Sequence, residues 1–155
     1  MINCREYSLK LITIKDRTKK EIYEKLKQKG YDESTIMQEI SFLEEYGYIN
    51  DSNYAQKFIN DCVNIKKWGE KRIYSELIKK GINREIIDNL LDVDNEEEIL
   101  MSEFQKRFKD SDLSNIKERR RIFGFFMRRG FKSSAIQYVL NKNSAFEDCF
   151  YDDTI

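Results

Sequence analysis

The stretch EIYEKLKQKGYDESTIMQEI (residues 21–40) predicts two helices separated by a glycine. Ile22 and Leu26 lie four residues apart, which places both on one face of a helix. Gly30 is suited to end that helix, because the residue after a helix often takes a left-handed conformation that costs glycine little. The apolar spacing resumes at Ile36, so a second helix follows the glycine.

Polar residues indicate where these helices begin. Thr18 followed by Glu21 has the spacing of a capping box, which predicts a helix start at Thr18. Asp32 and Asn83 are suitable N-caps for later helices, and Ser133 is the corresponding candidate near the end of the chain.

The same pattern occurs three times, at intervals of about 50 residues, and aligns on three glycines. Residues of matching size and polarity recur at seven offsets from Gly30, Gly81 and Gly130: Ile22, Ile73 and Ile122; Tyr23, Tyr74 and Phe123; Leu26, Leu77 and Phe126; Lys29, Lys80 and Arg129; Tyr31, Ile82 and Phe131; Ile36, Ile87 and Ile136; Ile40, Leu91 and Leu140. This degree of matching predicts an internal repeat.

A further apolar stripe with helical spacing precedes each pair of helices. The stripes are Cys4, Tyr7, Leu11 and Ile14; Tyr54, Phe58, Cys62 and Ile65; and Leu100, Phe104 and Phe108. The predicted fold class is therefore all-α, with three tandem three-helix units at residues 1–50, 51–92 and 93–142 and an acidic tail at 143–155. Units of this size bury little surface alone, so we expect an elongated, modular array, with some bending at the segments that contain Gly47, Trp68–Gly69 and Asp110–Ser114.

Composition excludes several classes of function. The chain has 155 residues, and its 28 Lys and Arg balance its 28 Asp and Glu, so the whole is neither a basic arm nor an acidic tail. The absence of histidine removes Ser-His-Asp and Cys-His catalysis and every metal site that needs an imidazole. The absence of proline suits a helical protein, since proline disrupts helix interiors.

The cysteines and the apolar runs indicate a cytoplasmic protein. Cys4, Cys62 and Cys149 form no CxxC pair, which argues against structural zinc or a redox motif. We interpret them as reduced thiols, with Cys62 in the core. The sequence also lacks a secretory signal and any apolar run of membrane length.

Catalytic motifs are absent from the sequence: there is no phosphate-binding GxxxxGK loop, no GxGxxG and no calcium loop. The acidic runs Glu96–Glu98 and Asp152–Asp153 offer metal ligands in principle. We interpret the first as a solvated helix start, because adjacent helical residues point apart and glutamates suit the helix dipole there. No cofactor is implied, and an enzyme is the least favoured alternative.

Two basic clusters are the candidate binding residues. Residues 117–132 hold seven basic residues against Glu118 alone: Lys117, Arg119, Arg120, Arg121, Arg128, Arg129 and Lys132. They surround an expected core stripe of Ile116, Phe123, Phe126 and Met127. The second cluster is Lys66, Lys67, Lys71, Arg72, Lys79 and Lys80. Both are either solvated helix faces or surfaces that contact phosphates or an acidic partner. Arginine favours the second interpretation for the first cluster, whereas ordinary helix charge is the preferred interpretation of the second cluster.

Several aromatic residues are also candidates for an interface. We interpret Trp68 as a packing anchor between units rather than an exposed binding residue. Tyr46 and Tyr48 are expected to pack in a linker. For the tail aromatics Phe146, Phe150 and Tyr151 the alternatives stay open.

Four stretches, in this order, resemble the RecX family of bacterial recombination regulators: LITIKDRTKKEIYEKLKQKG (11–30), LEEYGYINDSNYAQKF (43–58), WGEKRIYSELIKKGI (68–82) and FGFFMRRGF (123–131). The resemblance covers roughly residues 8 to 141 and implies tandem three-helix units. It departs from the family at 60–64, where a frequent arginine is missing and Lys66 and Lys67 follow instead, and at the acidic tail.

The resemblance implies a non-enzymatic regulator that binds in the groove of the RecA filament on DNA. Such a protein usually inhibits the filament's ATPase, strand-exchange and coprotease activities, in recombination and the SOS response. We expect a monomer that makes weak or indirect contact with nucleic acid and none with a membrane. The alternatives are a direct DNA-binding module that uses the basic third unit, and a plain helical scaffold for another partner.

Overall fold

The computed structural model describes residues 2–144, which contain nine α-helices and no strand. The helices are α1 (Cys4–Ile14), α2 (Lys19–Lys29), α3 (Glu33–Glu45), α4 (Asp51–Asp61), α5 (Glu70–Lys79), α6 (Arg84–Leu90), α7 (Glu96–Arg107), α8 (Ile116–Arg128) and α9 (Ser133–Lys142). A π-helical turn, Cys62–Lys66, directly follows α4. The all-α prediction is confirmed.

Contacts between residues divide the chain into two compact bodies. The first body comprises the described residues up to Asn60 together with Ser75–Leu90. The second comprises Asp61–Tyr74 together with the described residues from Leu91 onward. The predicted basic cluster of α5 is therefore shared: Lys71 and Arg72 belong to the second body, whereas Lys79 and Lys80 belong to the first.

The three repeated glycines have the same backbone conformation. Gly30, Gly81 and Gly130 have φ angles of 102°, 86° and 91°, in the left-handed region that favours glycine. In each copy the amide after the glycine donates to the carbonyl five residues earlier in the chain, at 3.3, 3.1 and 3.3 Å. These bonds are those of a Schellman motif, and they confirm the repeat at the level of the backbone.

Three of the four predicted helix starts are confirmed. The Thr18 side chain accepts a hydrogen bond from the Glu21 amide at 3.2 Å, and Asp32 accepts one from Thr35 at 2.8 Å. Asn83 accepts one from the Glu85 amide at 2.8 Å. The prediction of Ser133 as an N-cap is wrong, because the residue before α9 is Lys132, whose side chain makes no capping bond.

The start of α9 is capped instead by a residue from another helix. The Lys132 amide donates to Glu96 Oε1 at 2.7 Å, and Glu96 is the first residue of α7. Glu96 is buried, which corrects the interpretation of Glu96–Glu98 as a solvated helix start. Only Glu97 and Glu98 are exposed there. The Oε1 atom of Glu96 satisfies an amide that α9 would otherwise leave unpaired, whereas its buried Oε2 atom has no hydrogen-bond partner among residues 2–144.

Each body has its own core. In the first body, α1, α2 and α3 contribute Cys4, Leu11, Ile22, Leu26, Ile36, Ile40 and Leu43, with Ile49 beside them. In the second, residues of α7, α8 and α9 surround a group of phenylalanines, where Phe126 lies edge-on to Phe108 and Phe131 at centroid distances of 5.6 and 5.9 Å. Leu100, Phe104 and Phe108 are buried as predicted, and so is Cys62.

Four residues assigned to apolar stripes are exposed. Ile14 is the last residue of α1 and is 71% exposed. Ile116 and Met127 are exposed because Ile122 and Phe126 occupy the buried face of α8. Ile65 is 75% exposed, because the π turn interrupts the 3.6-residue periodicity after Asp61 and the stripe does not continue through it.

Among residues 2–144 no helix combines the length and apolar character that a membrane span requires.

Candidate partner-binding surface

Main-chain hydrogen bonds join the two predicted basic clusters within the second body. The Gly69 amide donates to the carbonyl of Arg129 at 2.7 Å, and the Lys71 amide donates to that of Gly130 at 3.1 Å. Residues just after α8 thereby satisfy amides at the start of α5. The negative end of one helix dipole meets the positive end of another, which is favourable in both directions.

Two glycines make this approach possible. A Cβ atom on Gly69 would lie 2.4 Å from the backbone of Gly130, and one on Gly130 would lie 2.3 Å from the Arg72 amide nitrogen. Neither distance is compatible with a side chain, so both positions depend on the absence of one. Gly69 is therefore a packed and hydrogen-bonded residue of the second body. This corrects the expectation of a bending linker at Trp68–Gly69.

Side chains strengthen the same contact. Arg72 Nη1 donates to the Arg128 carbonyl at 3.4 Å, and Arg129 Nη1 donates to the Lys66 carbonyl at 3.1 Å. Lys132 Nζ lies 3.8 Å from Glu70 Oε2. The cationic residues so brought together form what we call the basic junction: Lys66, Lys67, Lys71, Arg72, Arg128, Arg129 and Lys132.

Trp68, the sole tryptophan of the chain, lies at the centre of the basic junction. The Arg72 guanidinium carbon is 3.9 Å from the centre of its ring, and Lys66 Nζ is 4.6 Å from it. Cations over a tryptophan face are attracted by the ring quadrupole. Trp68 is half-buried, so it orders the cations beside it. Its role as an anchor between units stays a prediction.

The electrostatics of Arg129 indicate that positive charge is concentrated here. Burial lowers the pKa of the Arg129 guanidinium, and the nearby charge of Arg107 lowers it further. The charge of Glu103 raises the pKa of Arg129, and the charge of Arg72 lowers it. Like charges held together in this way favour an anionic partner that would neutralise them.

The remaining residues of the α5 cluster have neighbours inside the first body. Lys79 Nζ lies 3.6 Å from Glu76 on the same helix. Lys80 Nζ lies 3.9 Å from Glu21 and within 6 Å of the rings of Tyr54 and Phe58, at 5.8 and 5.6 Å. Burial alone would lower the pKa of Lys80, but Tyr54, Glu21 and Glu76 outweigh it and raise the pKa. These contacts assign Lys80 to the packing of its own body.

The arginines in the middle of α8 differ in their surroundings. Arg121 Nη2 lies 2.7 Å from Glu118 Oε1, which raises the pKa of Arg121. Arg119 donates to the side-chain oxygen of Asn141. Arg120 is exposed, and its side chain makes no hydrogen bond or ion pair with another residue of 2–144. Lys117 is exposed at the start of the helix. Of this run, Arg120 is therefore the best placed to meet a partner.

Tyr46 and Tyr48 are both exposed, although their rings pack on Phe42 at centroid distances of 4.7 and 6.2 Å. The expectation of linker packing is thus only partly met. Phe146, Phe150, Tyr151 and the run Asp152–Asp153 lie outside the described residues.

Comparison with known families assigns all three repeats. Residues 4–43, 50–91 and 95–140 match, in order, the first, second and third three-helix domains of RecX. The chain belongs to the RecX family. These matches confirm the prediction of three tandem helical units. They also confirm the resemblance to the RecX family that the sequence indicated.

Relatives of known name agree with this assignment. The chain is 33% identical to the regulatory protein RecX of Clostridium beijerinckii, over 94% of this chain and 70% of that protein. It is 35% identical to the regulatory protein RecX of Clostridioides difficile, over 95% of this chain and 71% of that one. It is thus a member of a family of regulatory proteins.

Solved structures share the fold. RecX from Lactobacillus salivarius superimposes with a TM-score of 0.75 at 25% identity, covering 90% of this chain and 94% of that one. A second regulatory protein RecX superimposes with a TM-score of 0.75 at 21% identity, covering 88% of this chain and 70% of that one.

The sequence predicts the residues of the basic junction but does not predict that they lie close together in the fold. Lys66–Arg72 and Arg128–Lys132 are about 60 residues apart, and no local pattern predicts a long-range main-chain contact. One signal was available: Gly69, which lies outside the repeated turns, required an explanation other than a helix end.

Proposed function

We propose that this chain binds the RecA recombinase in its filament on DNA and inhibits the filament's ATPase, recombinase and coprotease activities. The observation that carries the proposal is the basic junction, in which seven cationic residues of a RecX-family chain are held together by main-chain bonds. A surface of this kind is complementary to an anionic assembly. The regulated processes would be recombination, DNA repair and the SOS response.

The mechanism is occupancy rather than bond-making. Three tandem units at 1–50, 51–92 and 93–142 would contact several subunits along the filament groove. Several weak contacts on one chain act at high effective concentration, so their combined affinity exceeds that of each unit. A chain bound there would hinder the motions that ATP turnover requires. It would act in the cytoplasm, as a monomer and without a cofactor.

The experiment measures co-sedimentation of the chain with RecA filaments on single-stranded DNA, together with the filament's ATPase rate. We expect the chain to sediment with the filament, to lower the ATPase rate, and to bind the same DNA weakly without RecA. The proposal would be contradicted if the chain did not sediment with the filament and did not change its ATPase rate.

A matched pair of variants tests whether the basic junction is the contact. Lys71 and Lys79 are both exposed lysines of α5, but only Lys71 lies in the basic junction. Lys71→Glu should weaken filament binding about tenfold or more at low salt, because it places an anion among the cations. Lys79→Glu should change it little. Equal effects of the two variants would refute the assignment of the contact.

A direct DNA-binding module is the second candidate, and the exposed Arg120 of α8, the helix that ends at Arg128 of the basic junction, favours it. This function predicts tight binding to bare duplex, with a logarithmic salt slope of about −0.9 for each phosphate neutralised. Tight bare-DNA binding that RecA does not increase would select this function over the first.

A further inference from the structure

The π turn Cys62–Lys66 places an apolar side chain beside the basic junction. Ile65 is 75% exposed, whereas the residue at the base of the turn, Cys62, is fully buried. Lys66 and Lys67 follow Ile65 directly in the chain. The fold of the second body therefore leaves most of this isoleucine side chain uncovered.

The π turn is fixed in place. The carbonyl of Cys62 accepts from the amides of both Lys67 and Trp68, the latter at 3.0 Å. Arg129 Nη1 donates to the Lys66 carbonyl at 3.1 Å, which attaches the turn to the residues after α8. A fixed apolar side chain loses little conformational freedom when a partner covers it.

The backbone at this turn is unusual in two respects. The i→i+5 bonding of a π turn is rare and frequently lies at functional sites. Lys67, which follows the turn, has a φ angle of 56°, and no other non-glycine residue within 2–144 has a positive φ. Backbone strain of this kind persists when the surroundings hold it, and it often lies at binding sites.

We propose that Ile65 is the apolar anchor of a protein–protein contact, seated in an apolar pocket whose rim carries carboxylates. The cations of the basic junction beside it would pair with that acidic rim. A hydrophobic centre with a charged rim is the usual anatomy of such an interface. A DNA backbone offers phosphates but no apolar pocket, so it would leave Ile65 uncovered. The proposal rests on the proposed function, in which RecA protein supplies the pocket.

The test compares two exposed isoleucines at the ends of helical segments. Ile65→Ala removes the proposed anchor, and Ile14→Ala is its matched control, because Ile14 is 71% exposed and belongs to the first body, whereas the basic junction belongs to the second. Both side chains are exposed, so neither change should lower the melting temperature, which circular dichroism would verify. Binding to RecA filaments assembled on single-stranded DNA is then measured at several salt concentrations.

Ile65→Ala should weaken filament binding about tenfold, as expected for an apolar side chain that becomes buried on binding. The loss should be the same at every salt concentration, since no charge is removed. Ile14→Ala should bind as the unaltered chain does. Affinity for the same DNA without RecA should not change in either variant.

Two outcomes would overturn this inference without affecting the proposed function. One is that Ile65→Ala binds the filament as tightly as the unaltered chain does. The other is that Ile65→Ala loses as much affinity for bare DNA as it loses for the filament. In both cases the unaltered chain still binds the filament, so the proposed function stands. If the unaltered chain fails to bind the filament at all, the proposed function fails, and the anchor fails with it.

Discussion

Gly30 and Gly130 occupy the same position in two copies of one repeat, yet the fold uses them differently. Both have a left-handed backbone, with φ angles of 102° and 91°. A Cβ atom on Gly30 would meet nothing within 4 Å, whereas one on Gly130 would lie 2.3 Å from the Arg72 amide nitrogen. The first glycine is required only to end a helix. The second also admits another segment of backbone, so the repeat has been adapted to build the basic junction.

Gly130→Ala should have the largest effect, because it combines the two costs. Left-handed backbone and steric overlap together should lower the free energy of unfolding by at least about 3 kcal/mol. Urea denaturation measures the change. Filament affinity should fall as well, since the residues after α8 could no longer approach α5. A loss no larger than that of Gly30→Ala would remove the distinction between the two glycines.

Gly69→Ala tests the close approach alone. Gly69 does not have a positive φ, so the added methyl group meets only the backbone of Gly130, at 2.4 Å. The expected loss is about 2 kcal/mol, the usual cost of overpacking. Gly124→Ala is a suitable control, because its nearest contact is the flexible end of Arg128 at 3.2 Å. Equal denaturation midpoints for the two variants would contradict the close contact.

Gly30→Ala tests the backbone conformation alone. With open space around the new methyl group, only the left-handed conformation is penalised, and the free energy of unfolding should fall by about 1 kcal/mol. Gly30→Asn should lose less, since asparagine tolerates this conformation better. Both are measured by the same urea titration, and a full loss in the asparagine variant would show that another factor operates.

Asp32→Ala should have the smallest effect, and it extends the comparison to the helices that follow the two glycines. After Gly30, Asp32 caps α3 through its own side chain, whereas after Gly130 the cap of α9 comes from Glu96. Hydrogen bonds from the Thr35 side chain and then from its amide lower the pKa of Asp32.

The sign of the pH dependence follows from that lowered pKa. The carboxylate stabilises the fold above the unfolded-state pKa, and this contribution is lost as the pH falls through the folded-state pKa. Asp32→Ala should therefore melt at a lower temperature than the unaltered chain near neutral pH, and the difference should shrink in acid. A difference that stays constant with pH would show that the carboxylate charge is not the cause.

Local patterns predicted the features that depend on nearby residues. The glycine helix ends, the caps at Thr18, Asp32 and Asn83, and most of the buried stripes follow from spacing of a few residues. These features repeat in the sequence because the same backbone is built three times. The resemblance to RecX then supplied the order of the units, which the three domain matches confirm.

The features that were missed depend on contacts between distant segments or on a local departure from the helix. Glu96 caps α9 from 36 residues away, which displaces Ser133 from that role. The π turn breaks the periodicity that would have buried Ile65. The meeting of Gly69 with Arg129 and Gly130 requires a tertiary fold that spacing does not encode. For the same reason the sequence predicted the cations of the basic junction without predicting that they adjoin.

The way the basic junction is held has a consequence for how such a surface can evolve. Its geometry depends mainly on backbone amides, backbone carbonyls and two residues without side chains, whereas an exposed side chain such as Lys71 carries charge without holding the contact. The atoms that hold the surface together are therefore largely different from the atoms that would recognise a partner. Exchange of such exposed side chains would change the partner that the surface suits, at little expense in folding, while the backbone frame beneath them keeps its geometry.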